Sequence, residues 1–217
     1  MKVNLRGGAP HAAGGGGVTD TLRGIENLVG SAYDDVLIGF GSHNIAGGTG
    51  DDVLSDANVL DGGEGSDTAS YTSGAMVDLA VSGPQRTDRV YQFFQTLIDI
   101  ENVAGSWSDD SLKGDGGANR LIGSEGNDTL MGRAGDDILD GGNGFDAASY
   151  AEASTGVTVD LAIADPQSTG EGADTLISIE DVLGSAFADT LMGTGGWNVL
   201  IGGVGNDLLM GRGAAIG

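Results

Sequence analysis

The nine residues GGTGDDVLS (Gly47–Ser55) constrain this chain more than any other feature, because they recur. Related blocks read GSEGNDTLM (Gly123–Met131), GRAGDDILD (Gly132–Asp140), GGNGFDAAS (Gly141–Ser149) and GGVGNDLLM (Gly202–Met210). The shared plan is G-G-x-G-x-D-x-U-x, with U large and apolar. Three glycines in six residues permit a tight turn with positive φ and an uncrowded backbone. Carbonyl oxygens can then point inward, and the Asp at the sixth position adds a charged oxygen. Hard oxygens without nitrogen or sulfur suit Ca²⁺, which takes roughly 6–8 of them. The D-x-U-x segment is a short strand with one inward apolar side chain. Two such units make one turn of a coil, so alternate loops stack on the same edge.

Charge bears on when such a coil can form. The net charge is −23, from 32 acidic and 9 basic residues, and 42 of the 217 residues are Gly. A chain this acidic and Gly-rich repels itself and loses much entropy on ordering. It nevertheless keeps an apolar residue in nearly every block, which a disordered linker would not. Together these predict a conditional fold, disordered until a cation cancels the charge. The absence of Cys excludes disulfides and thiolate metal sites. No run of about 18 apolar residues marks a membrane-spanning helix, and residues 1–30 lack the pattern of a cleavable signal peptide. The acidity argues against a nucleic-acid partner.

A longer period overlies the short one. Ile25-Glu26-Asn27, Ile100-Glu101-Asn102 and Ile179-Glu180-Asp181 lie 75 and 79 residues apart. Each leads into a block beginning Gly-Ser, at Gly30, Gly105 and Gly184. Upstream of each lies a short strand pattern: Val3-Asn4-Leu5, Val77-Asp78-Leu79 and Val159-Asp160-Leu161. Between them, Pro84-Gln85-Arg86-Thr87 corresponds to Pro166-Gln167-Ser168-Thr169, and Leu97 matches Leu176 and Leu22. The chain therefore reads as one roll of three modules, 1–74, 75–156 and 157–217, the last incomplete. Tyr71 and Tyr150 mark where the tight coil widens into long inserted loops. Period-two patterning, as in Thr175-Leu176-Ile177-Ser178-Ile179, argues strands; Tyr91–Ile100 is left as strand or short helix.

These blocks resemble the calcium-binding nonapeptides of the RTX (repeats-in-toxin) family. The resemblance implies an all-β fold, a right-handed parallel β-roll, with several Ca²⁺ ions held between stacked loops. It also implies a secreted, extracellular bacterial protein exported by a type I system, of which this chain looks like a fragment. The expected function is a non-catalytic module that folds on extracellular Ca²⁺ and serves the secretion and stability of a larger protein. Two alternatives are the RTX portion of a secreted protease or lipase, and an adhesin or surface-layer spacer. The final turn, Gly202–Met210, has no finished successor, so end-to-end self-association is expected there.

Register names the candidate ligands. The sixth-position carboxylates are Asp35, Asp52, Asp67, Asp110, Asp128, Asp137, Asp146, Asp189 and Asp207. First-, third- and fifth-position residues would lend main-chain oxygens: Gly47, Thr49 and Asp51; Gly123, Glu125 and Asn127; Gly132, Ala134 and Asp136; Gly141 and Asn143; Gly202, Val204 and Asn206. Fifth-position side chains are expected to face water. Asp110, Asp128 and Asp146 should share one edge, and Asn119 and Asp137 the other; Asp35, Asp52 and Asp67 should lie opposite Asn44, and Asp189 and Asp207 opposite Asn198. The uncharged Asn44, Asn119 and Asn198 are weaker candidates. So are Glu26, Glu101 and Glu180, which could equally cap backbone N–H groups. For any single Asp the competing role is a turn-capping carboxylate. The blocks at 30, 105 and 184 carry Tyr33, Ser108 and Phe187 where the third glycine belongs, which predicts partial turns.

No enzyme motif emerges. His11 and His43 are the only histidines, so a zinc H-E-x-x-H site is excluded, and no G-x-S-x-G elbow occurs. Neither Lys2 nor Lys113 follows a glycine, which excludes a P-loop. Asp56–Gly62 only faintly resembles an EF-hand loop, with its glycine one residue late. Trp107 and Trp197 are expected to cover roll edges.

Overall fold

The computed structural model describes residues 2–5, 11–12, 19–20, 24–88 and 93–212. Among them there is no helix, and the strands run from two to six residues. The fold is all-β, with most strands in parallel sheets. Parallel neighbours cannot be joined by a hairpin and need a crossover. Here the crossover is the other half of a coil turn: successive strands go alternately to one sheet and then to a second.

The chain forms two compact units, Met1–Thr72 with Val81–Ala104, and Ser73–Ala80 with Gly105–Gly217. In the first, Lys2–Asn4, Val36–Ile38, Val53–Ser55, Thr68–Ser70 and Asn102–Ala104 form one parallel sheet. Asn27–Val29, Asn44–Thr49, Val59–Glu64 and Phe94–Ile98 form another. Parallel pairing stacks like on like, so each apolar U position becomes a column. Leu37, Leu54, Ala69 and Val103 are register partners and all fully buried. Ile45, Leu60 and Leu97 form the second column. Each such Leu contributes about 1.5–3 kcal/mol.

The second unit repeats the plan with fuller turns. Met76–Asp78, Ser111–Lys113, Thr129–Met131, Ala147–Ser149, Asp181–Leu183 and Leu200–Ile201 form one parallel sheet. Arg120–Glu125, Ile138–Asn143 and Ala173–Ile177 form the second. Thr158–Asp160, Thr190–Met192 and Leu208–Met210 make a third.

The long inserted loops contain short hairpins. Gln85–Arg86 runs antiparallel to Phe94–Ile98, and Gln167–Ser168 antiparallel to Ala173–Ile177. Phe94–Ile98 is thus a strand in parallel register with Val59–Asp61, which decides the strand-or-helix alternative for the part of Tyr91–Ile100 described. Leu22 and the tail 213–217 lie outside the described residues.

Candidate metal centre

Each nonapeptide loop divides its residues by depth. First and sixth positions are buried: Gly47 and Asp52, Gly123 and Asp128, Gly132 and Asp137, Gly141 and Asp146. Third and fifth positions are exposed: Thr49, Asp51, Glu125, Asn127, Ala134, Asp136, Asn143, Val204 and Asn206. The turn is made by left-handed residues at the fourth position, Gly50 (φ +109), Gly126 (+117) and Gly135 (+123), a region costly for residues with a Cβ.

Stacking then laces successive turns together. Six sixth-position carboxylates, those of Asp52, Asp67, Asp128, Asp137, Asp146 and Asp207, reach back to accept the N–H of the counterpart one turn earlier. Asp35 N–H donates to Asp52 (2.8 Å) and Asp52 N–H to Asp67 (2.7 Å). Asp110 N–H donates to Asp128 (2.7 Å), and Asp128 N–H to Asp146 (2.8 Å). Fifth-position side chains reach the other way. Asp34 accepts from Asp51 N–H, Asp51 from Ser66, Asp109 from Asn127, Asn127 from Phe145 and Asp136 from Ala173. These side chains were expected only to face water; they are exposed, but each gives an oxygen to the next loop.

The sixth-position carboxylates divide into two groups. In Asp52, Asp67, Asp128, Asp137 and Asp146 the second oxygen, Oδ2, is buried and accepts no hydrogen bond. Leaving such an oxygen unsatisfied costs about 1–3 kcal/mol, more when charged. Beside four of these atoms, those of Asp52, Asp67, Asp128 and Asp146, lies a main-chain carbonyl from the next turn. A Cβ added to Gly123 would fall 2.1 Å from Asp128 Oδ2 and 2.6 Å from the Gly141 oxygen. At Gly47 the same distances to Asp52 Oδ2 and the Gly62 oxygen are 2.1 and 2.6 Å. The first glycine thus keeps open a cradle between a carboxylate and a carbonyl. Among the described residues no three His, Cys, Asp or Glu side chains converge, so a cation here would rely on carbonyls with one or two carboxylates. That donor set fits a hard, oxygen-seeking ion.

Asp35, Asp110 and Asp189 differ. Each has its carboxylate occupied by the serine at the second position of its own block, through both N–H and hydroxyl: Ser31, Ser106 and Ser185. The capping role, set beside ligation for every Asp, describes these three. Asp207, half-buried on the last described loop, accepts the N–H of Asp189.

The weaker candidates also separate. Glu101 and Glu180 stand in the carboxylate columns, accepting the N–H of Asp67 (2.8 Å) and Asp146 (3.0 Å). Glu26 does not join a column: it is exposed and precedes a strand of the other sheet. Asn119 (4 % exposed) sits at the sixth position, donating its N–H to Asp137 and accepting from Asp115 N–H. Asn198 likewise accepts from Thr194 N–H, and its amide donates to the Glu180 carbonyl. Asn44 is displaced. The eight-residue block 39–46 lacks one residue, so Asn44 pairs with Val59 as the first strand residue, exposed, and His43 takes the sixth place.

Three participants escaped the sequence reading. The carbonyls of Asp99 and Ser178 take the first-position place at the column ends, 2.1 and 2.3 Å from where Cβ atoms of Gly62 and Gly141 would lie. Their signal is a positive φ, +47° and +50°. Asp174 follows Asp137 in its column, but its Oδ2 is taken by Thr169 (2.8 Å) and Tyr150 (3.1 Å). Trp107 and Trp197 do not cover edges; they are 71 % and 89 % exposed.

A family model for the RTX calcium-binding nonapeptide repeat matches residues 20–54, 113–147 and 180–213. The chain carries several copies of the RTX calcium-binding nonapeptide repeat. RTX repeats bind calcium, and the repeat is a structural element rather than a catalytic one. Proteins carrying it are generally secreted by type I systems. A search of the curated proteins found no match to this RTX chain. Among its described residues no helix is long and apolar enough to cross a membrane.

The electrostatics of the RTX columns match their geometry. Burial pushes the Asp128 carboxyl up to about 7, and the charges of Asp110 and Asp146 add to this against the Asp110 N–H bond. Burial likewise pushes Asp137 up to about 7, with Asp174 adding. Asp52, Asp67 and Asp146 are also raised, burial again the first cause. With the ordinary value at 3.8, the folded chain binds more protons than the unfolded chain between about pH 4 and 7. This contribution to stability is complete below that window and disappears as pH rises through it. In metal-stripped buffer the β-sheet circular-dichroism signal should therefore be larger at pH 5.5 than at pH 8. A metal-free signal that grows from pH 5.5 to 8 would contradict this.

Proposed function

We propose that this chain is a calcium-conditional folding module, unfolded where Ca²⁺ is scarce and folded once outside the cell, serving the secretion and stability of a larger protein. One observation carries the reading: five buried carboxylate oxygens at sixth positions, each without a hydrogen-bond donor, in a chain of net charge −23. Asp52, Asp67, Asp128 and Asp146 would hold ions with a neighbouring-turn carbonyl beside each, Asp137 would hold one more weakly, and Glu101 and Glu180 would close the columns. Bound Ca²⁺ supplies the positive charge that makes these carboxylates tolerable in the interior. The chain's own residues set the spacing, exclude water and hold each carboxylate by its other oxygen. Asp52 and Asp67 lie in one compact unit and Asp128, Asp137 and Asp146 in the other, so each unit carries such loops.

The test is a Ca²⁺ titration followed by circular dichroism on two variants. Asp128 stands between Asp110 and Asp146, within a column of carboxylates. Asp137 stands between uncharged Asn119 and an Asp174 already committed to Thr169 and Tyr150. Asp128→Ala should raise the Ca²⁺ midpoint about tenfold, equivalent to about 1.4 kcal/mol, and Asp137→Ala should raise it less. Equal effects or the reverse order would refute this assignment of ligands.

A further inference from the structure

We infer that the edge bearing Asn119 is clamped by an internal cation, the Arg133 guanidinium, which takes the place of a metal ion between loops 114–119 and 132–137. The inference rests on the calcium reading of the Asp columns and concerns where calcium is not used.

Arg133 stands at the second position of its block, where three other loops have Gly48, Gly142 and Gly203. Its φ is +71°, a backbone region disfavoured for a side chain of this size, so its contacts must hold it there. Both terminal nitrogens engage the Asp78 carboxylate, at 2.6 and 2.8 Å. One of them also donates to the Gly114 carbonyl, and Nε donates to Glu152 (3.1 Å). Asp78 precedes the first turn on this edge, Gly114 opens the second and Arg133 lies in the third. One side chain, 20 % exposed, therefore ties three turns. A two-pronged Arg–carboxylate pair of this kind is among the stronger polar contacts.

Between the two turns of this loop pair the charge that a cation would need is lacking, because the Asp137 Oδ2 atom lies beside its own Gly132 and not beside Gly114. A Cβ on Gly114 would fall 2.2 Å from Asn119 Oδ1 and 2.6 Å from the Gly132 oxygen. The cradle thus has the shape of those on the Asp columns, but its side-chain oxygen is neutral and already accepts the Asp115 N–H at 2.8 Å. Relative to an Asp/Gly loop pair, Asn119 and Arg133 remove one negative charge and add one positive charge.

The repeats within the chain vary these residues together. Asn198 is followed fourteen residues later by Arg212, as Asn119 is by Arg133. Arg212 pairs with Asp160 at 2.6 Å, and Asp160 occupies the Val-Asp-Leu place held by Asp78. In the first module that place is Asn4, and the corresponding turn has no arginine. There the block shortens, and the buried Ala57 fills the space against Gly39, 2.9 Å from where its Cβ would lie. Arginine comes with the aspartate and is absent with it.

The experiment counts Ca²⁺ ions by calorimetric titration of the whole chain. Asn119→Asp combined with Arg133→Gly should bind one ion more than the wild type. A double variant with the wild-type count would overturn the inference. Arg133→Gln, with Asn119 intact, should keep the ion count while lowering the thermal midpoint in saturating Ca²⁺ by several degrees. Loss of an ion in that variant would overturn it equally. A wild type that bound no Ca²⁺ would sink the calcium reading itself, an outcome distinct from an unchanged count in the double variant.

Discussion

In excess chelator at pH 7.5 the protein should lose most of its β-sheet circular-dichroism signal, and added Ca²⁺ should restore it cooperatively. The reason is the cost of the metal-free fold. Its turns bury carboxylates at 0–1 % exposure, among them Asp52, Asp67, Asp128, Asp137 and Asp146, in a chain already at −23. Its 42 glycines add an ordering cost that no side-chain packing repays directly. Each ion that binds only the folded chain stabilises it by about 2.7 kcal/mol at a hundredfold excess over its dissociation constant. Cooperativity follows from the columns, since Asp128 touches the turns on both sides of its own. Mg²⁺ should restore little, because it demands a smaller octahedral cage and sheds water reluctantly. A complete β spectrum in excess chelator would refute the conditional fold.

The columns were legible in the sequence because parallel pairing at a fixed repeat leaves little freedom. An eighteen-residue step places Asp110, Asp128 and Asp146 in one line, and the hydrogen bonds join them in that order. Legibility fails where the step changes. Glu180, a candidate ligand or N–H cap from the sequence, continues the line across thirty-four residues, and Asp174 extends the other line across thirty-seven; an inserted loop hides the line of the first and the role of the second. A single missing residue before Ile45 moves Asn44 from the sixth position to the strand. The capped aspartates are a different lesson. Ser31, Ser106 and Ser185 stand in the sequence beside the missing third glycine, and a hydroxyl at the second position is what occupies the carboxylate. The role of Arg133 is not legible in its own block, because its partner Asp78 lies fifty-five residues away.

Gly123→Ala should damage the fold more than any alanine replacement in the outer part of the loops. The added methyl group would lie 2.1 Å from Asp128 Oδ2, 2.6 Å from the Gly141 carbonyl oxygen and 2.7 Å from Asp128 Cγ. Two of these neighbours belong to a buried carboxylate held by the Asp110 N–H, and the third is main chain, so none can swing away as a flexible side-chain end could. The methyl group would also occupy the space between the two oxygens best placed to meet a cation. Gly116→Ala is the control, because a Cβ there meets nothing within 4 Å. Gly123→Ala should raise the Ca²⁺ midpoint by at least about tenfold, or about 1.4 kcal/mol in free energy, and should lower the ion count by one. Gly116→Ala should leave both within error. If Gly123→Ala folded at the wild-type Ca²⁺ midpoint with an unchanged count, the space beside Asp128 Oδ2 would not be where the ion sits.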